Sequence, residues 1–190
     1  MMIKLDEYLN NIDLECNSKN NIISIKAYQL DNKGRGSATV RGIKNKLKVD
    51  GIKSCDYFLE NDEKIFIVEI SDFFKQLEYL RETYSKIKKL NIKNLKLIKN
   101  YMSPENIIKS EIKNKYLNTL LILNYFNFVN VQQKKKVYFL VFCEENKDLT
   151  ILFDKIQREL RNDLKVLIDD IKIILKNDFE YSLNKILNTN

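Results

Sequence analysis

The chain has 190 residues, 44% hydrophobic and 31% charged, with 33 bases against 26 acids and a formal net charge of +7. That length and apolar content suit a single folded domain with a substantial core and argue against disorder. Histidine is absent, which excludes Ser-His and Cys-His triads and all histidine acid/base chemistry, so catalysis here has to use carboxylates, lysines, tyrosines or a metal.

Residues 3 to 15, with Ile3, Leu5, Leu9, Ile12 and Leu14 apolar, predict a short helix. Alternation in NIISIKAYQL predicts a strand over about 22 to 30. All four glycines, Gly34, Gly36, Gly42 and Gly51, then fall within one short stretch, where turns and close backbone approach concentrate. A hairpin fits there, with Ser37 to Ile43 as one arm. The GRGS segment does not match a P-loop, so a plain turn is preferred to a phosphate cradle.

The next stretch, SCDYFLENDEKIFIVEISD, reads as two apolar strands, Tyr57 to Leu59 and Ile65 to Ile70, joined by a polar turn at Glu60 to Lys64. Asp56 opens the first strand and Glu69 closes the second. A buried carboxylate is costly unless paired, hydrogen-bonded or bound to a cation, so two on neighbouring strands suggest a hard metal site. Glu60, Asp62 and Glu63 read as solvated turn residues.

Phe73, Leu77, Leu80, Tyr84 and Ile87 form a helical seam behind an N-cap at Ser71 or Asp72. The pattern loosens near Asn91 and resumes through Leu95 and Ile98. Ser103, Pro104 and Glu105 give a helix start, with Ile108, Ile112, Tyr116, Leu120 and Leu123 carrying the helix to about Phe128. Val137 to Cys143 predicts a strand buried on both faces. Residues 149 to 176 read as one long amphipathic helix through Leu149, Leu152, Ile156, Leu160, Leu164, Leu167, Ile171 and Ile174, with a short last helix over 178 to 187.

No apolar run approaches the roughly 18 residues of a membrane span, and the start MMIKLDEYLN has no signal-peptide core. The expectation is a cytoplasmic protein with Cys16, Cys55 and Cys143 as reduced thiols, since their spacing supports neither a disulfide framework nor a zinc site.

Charge is segregated around Asp56 and Glu69. From Lys33 to Lys53 there are seven bases against one acid, from Ser54 to Leu80 seven acids against two bases, and from Arg81 to Lys115 ten bases against three acids. Lysines flanking a carboxylate centre suit a protein that grips phosphates while a cation sits between the acids. Lys33, Arg35, Arg41, Lys44, Lys46, Lys86, Lys89 and Lys93 are the candidate nucleic-acid contacts. A solvated helix face in a lysine-rich chain explains residues 86 to 99 equally well.

The order of helix, strand, strand with Asp56, strand with Glu69, helix and strand resembles the αβββαβ core of the PD-(D/E)xK nuclease-like superfamily. The phrase CDYFLENDEKIFIVEIS looks like that family's motif, an Asp, an apolar strand, a short turn, and an apolar strand ending in an acid. The resemblance covers mainly residues 50 to 80, with looser support from 137 to 143. It implies an α/β domain with a small mixed central sheet flanked by helices, a restriction-endonuclease-like core over about 1 to 145 with a helical insertion over about 91 to 130, and added C-terminal helices over about 146 to 190.

The same resemblance implies phosphodiester hydrolysis with Asp56 and Glu69 holding Mg2+ or Mn2+, aided by a helix-borne acid at Glu15 or Glu7, and a bacterial or mobile-element defence setting. The pattern departs at its third position. A lysine is expected two residues after the acid, and Ser71 stands there. Lys75 in the following helix and Lys53 before the first motif strand are the candidate substitutes. The alternatives are an inactive adaptor that keeps the fold and binds nucleic acid or a protein, with the long helices available for a partner or a second copy, and an assembly subunit whose carboxylates are incidental.

Overall fold

The computed structural model describes residues 4–14, 22–31, 42–49, 51–89, 102–143 and 147–187, the side chains of 147–149 excepted. It is mixed α/β. A six-stranded sheet runs in chain order, β1 (Leu9–Asp13), β2 (Ile22–Gln29), β3 (Tyr57–Glu60), β4 (Lys64–Ser71), β5 (Lys135–Phe142) and β6 (Asp170–Leu175). β1 to β4 form an antiparallel meander, and β5 and β6 add in parallel to β4. The helices are α1 (Ile43–Leu47), α2 (Phe73–Lys88), α3 (Pro104–Tyr125), α4 (Lys147–Asp163) and α5 (Lys176–Leu187). None of them is long and apolar enough to cross a membrane.

The central strands are apolar on both sides because both sides are covered. Phe58, Ile65, Ile67, Tyr138 and Leu140 face a core shared with α1, α2, α3 and α4. Tyr57, Leu59, Phe66, Val68, Phe139 and Val141 face the other way, onto Phe179 and Leu183 of α5. The β3–β4 turn is held by Asn61, whose Oδ1 accepts from Glu63 N at 3.1 Å and Lys64 N at 2.8 Å. Asp72 caps α2 by accepting from Lys75 N, and Ser103 caps α3 by accepting from Asn106 N.

Three expectations are corrected. Of the helix expected over 3 to 15, the described residues 4–14 are not α-helical. Leu5–Tyr8 make a single 3-10 turn and Leu9–Asp13 pair with β2. Asn10 and Asn11 are poor helix formers, while Ile12 and Leu14, two apart, are buried on one side of the sheet in the period of a strand. The long helix over 149 to 176 ends at Asp163, turns, and gives way to β6. Its apolar seam holds through Leu152, Ile156, Leu160 and Leu164, but β-branched Ile171, Ile173 and Ile174 then complete the parallel ladder with β5. Helical period and strand alternation overlap across Ile171 and Ile174, so pairing decides between them. Finally, Cys143 is disulfide-bonded, whereas Cys55 is a buried free thiol.

Of the expected hairpin arm, 37 to 41 lies outside the described residues, as do Leu95 and Ile98. Gly42 and Ile43 are described, and Ile43 opens α1 rather than closing a strand. Gly42 is where the glycine argument holds. A Cβ on it would lie 2.4 Å from the Leu30 carbonyl oxygen and 2.5 Å from that of Asp31. These are backbone atoms at the end of β2, so Gly42→Ala forces the chain to move. We expect it to lower stability by about 1–3 kcal/mol, read as a fall in the urea midpoint.

Candidate active site

The β3–β4 register pairs Tyr57 with Val68, and Asp56 N donates to Val68 O at 3.0 Å. The ladder ends at that pair, with Asp56 just ahead of β3, and the carboxylates of Asp56 and Glu69 both act on Lys115 of α3. Asp56 is 9% exposed and Glu69 is 1% exposed. Asp56 Oδ2 accepts from Ile70 N at 2.8 Å, which fixes the carboxylate against β4. Its carbonyl accepts from Leu30 N at 2.8 Å, which ties the same residue to β2.

A buried glutamate needs a countercharge. It comes from α3, where Lys115 Nζ donates to Glu69 Oε1 at 2.6 Å. Burial pulls the Lys115 pKa down, but the carboxylates of Glu69 and Asp56 outweigh it and hold the ammonium well above the ordinary lysine value. Lys115 therefore stays a cation across the physiological range. Glu111, one turn earlier, lies 3.9 Å from Lys115 Nζ and 3.4 Å from Lys53 Nζ. Charges thus alternate from the buried acid to the surface as Glu69, Lys115, Glu111 and Lys53.

The backbone on either side of this row is stitched together. Thr119 Oγ1 accepts from Cys55 N at 2.9 Å and donates to Lys115 O at 2.8 Å. Asn118 donates to Lys53 O at 2.8 Å, and Tyr138 OH donates to Ile112 O at 3.3 Å. The residues that lead into Asp56 and the helix turn that carries Lys115 are therefore held at one spacing. Burial pushes the Cys55 thiol and the Tyr138 hydroxyl up, so both remain protonated and neither serves as a nucleophile.

The other sequence candidates sit elsewhere. Ser71 Oγ accepts from Gln76 at 2.7 Å. Lys75 pairs with the capping Asp72 at 3.1 Å and points into solvent. Lys53 reaches this row only through Glu111. Glu7 is exposed on the 3-10 turn beside β1, two strands from β3. Glu15, Lys33, Arg35, Arg41 and Lys93 lie outside the described residues. Lys44 turns inward, 3% exposed, to meet Asp31 at 3.2 Å, while Lys46, Lys86 and Lys89 are exposed.

Lys115 is the residue that the sequence reading missed, counted only as one base among ten. Its signal was present. It stands three residues after Ile112 and four before Thr119, on the buried stripe of α3. A lysine in such a stripe implies a buried acid facing it. Among the described residues, no group of three or more His, Cys, Asp or Glu is arranged to hold a metal. No protein-family model matches the chain, and no curated protein or solved structure is significantly similar to it.

Proposed function

We propose that this protein is a PD-(D/E)xK-like, metal-dependent phosphodiester hydrolase acting on nucleic acid, with Asp56, Glu69 and Lys115 as its catalytic residues. The observation that carries this reading is Lys115 Nζ at 2.6 Å from Glu69 Oε1. It supplies from a helix the cation that Ser71 fails to supply from the strand. An antiparallel meander with Asp56 just ahead of β3 and Glu69 on β4, followed by a parallel strand, also supports the reading.

Asp56 and Glu69 are the residues that would hold the cation. Two carboxylates with no nitrogen or sulfur donor suit Mg2+ or Mn2+, which retain several waters and need few protein ligands. When bound, such an ion polarises the phosphate and lowers the pKa of a coordinated water. The rest falls to the chain. The Ile70 amide fixes the Asp56 carboxylate, and Glu69 holds the Lys115 ammonium beside the reacting phosphate. Because Lys115 stays protonated, it stabilises negative charge developing on phosphate oxygens and orients the attacking water, and does not take the water's proton. Lys46, Lys86 and Lys89 are exposed cations available to the nucleic-acid backbone.

Labelled DNA and RNA incubated with Mg2+ or Mn2+ test this. Wild type is expected to cut, and the isosteric variants Asp56→Asn and Glu69→Gln are expected to bind the same substrate without cutting it. If wild type cleaves nothing while its binding falls steeply with salt, the inactive adaptor reading replaces this one.

A further inference from the structure

On the sheet face opposite Asp56 and Glu69, at the starting ends of β4 and β5, lies a cleft of about 560 Å3 beneath the end of α5. Lys64, Lys135 and Lys172 line it with Asp170, and Val137 and Ile186 form its apolar wall. Lys64 and Lys135 are direct partners in the parallel β4–β5 register, and like charges on paired residues of neighbouring strands destabilise a sheet. The cleft's acids do not relieve it. Asp170 is engaged by Arg161 at 2.7 Å and Lys172 at 2.8 Å, and Asp169 accepts from Lys136 N at 2.7 Å. No described carboxylate lies within ion-pair distance of Lys64 or Lys135.

Two lysines on paired strand residues, neither with an ion-pair partner among the described residues, give the cleft a doubly positive rim. Lysine binds phosphate as a point charge, and two ammonium groups suit the double negative charge of a phosphate dianion. The cleft volume lies in the range of small-molecule sites, and the wall of Val137 and Ile186 offers apolar cover for a ring. We infer that this cleft binds a phosphate-bearing small molecule of mononucleotide size, with its phosphates on Lys64 and Lys135 and its ring against Val137 and Ile186. The inference does not rest on the hydrolase reading, since the two places lie on opposite faces.

Calorimetric titration and thermal unfolding with pyrophosphate, with ATP and with a single-stranded oligonucleotide test it, on wild type and on Lys64→Gln/Lys135→Gln. Pyrophosphate and ATP are expected to bind wild type and raise its Tm, ATP more strongly because of its ring. The double variant is expected to bind them about ten- to thirtyfold more weakly. Without any anion it should unfold no earlier than wild type, because the repulsion across β4 and β5 is gone. Failure of both small anions to bind wild type, equal binding by the double variant, or binding of the oligonucleotide alone would each overturn the inference. So would a double variant less stable than wild type in the absence of anions.

Discussion

Lys115→Met is expected to lower the proposed cleavage by about 10²- to 10³-fold and to destabilise the fold by about 3–5 kcal/mol. Both effects come from one contact. Glu69, 1% exposed, loses the ammonium 2.6 Å away that meets it between the sheet and α3. Steady-state cleavage and urea unfolding measure the two losses separately. The double variant Glu69→Gln/Lys115→Met separates them further, since removing both charges should restore most of the stability while cleavage stays absent. If the single variant keeps full cleavage, Lys115 is a structural partner of Glu69 and has no part in the chemistry.

The pH dependence of that contact has a defined sign. The folded protein holds the Lys115 pKa above its unfolded value, so the stabilisation is fully present below the unfolded lysine value near pH 10. It is lost as pH rises through the higher folded value. Between about pH 7 and 9 the stability difference between wild type and Lys115→Met should therefore not shrink with rising pH on account of Lys115. Nor should cleavage show a falling limb from loss of its charge in that window.

Phe153→Ala is expected to cost about 3–5 kcal/mol, without touching the proposed chemistry directly. The ring is 1% exposed and lies 5.0 Å from Phe73 of α2 and 5.6 Å from Phe142 of β5, to which it is nearly parallel. It therefore joins the first turn of α2 to the end of β5 as well as anchoring α4. Truncation leaves a cavity that three separate elements would have to collapse to fill. A lower urea midpoint with an unchanged denaturant slope is the expected signature, and a change under 1 kcal/mol would show that the site repacks.

Phe153 is also instructive about what a sequence conveys. The periodic seam of α4 was read through Leu152, Ile156 and Leu160, one position away, and all three are buried. The seam located the buried face but not its width. Local chemistry located other features well. Asn61 makes the β3–β4 turn, Asp72 and Ser103 cap their helices, and Val137 to Cys143 is buried in mid-sheet, because turn, cap and hydrophobic signals act over a few residues. The start of the chain and the segment from Asp170 to Leu175 were misread for the converse reason. Each carries a pattern that suits helix or strand, and a pairing partner far away in sequence selects the strand.

The sequence by itself determined that histidine chemistry is excluded and that one acid lies at the entry to β3 and another near the end of β4. Only the tertiary structure decided which cation answers Glu69. Lys53 and Lys75 were the nearby candidates along the chain, but Lys75 is drawn to the Asp72 cap and Lys53 to Glu111. Lys115, 46 residues after Glu69, arrives because α3 crosses that face of the sheet. A buried charge selects its partner by distance in space, and the crossing of a helix over a sheet is set by packing of the whole core rather than by any spacing along the chain.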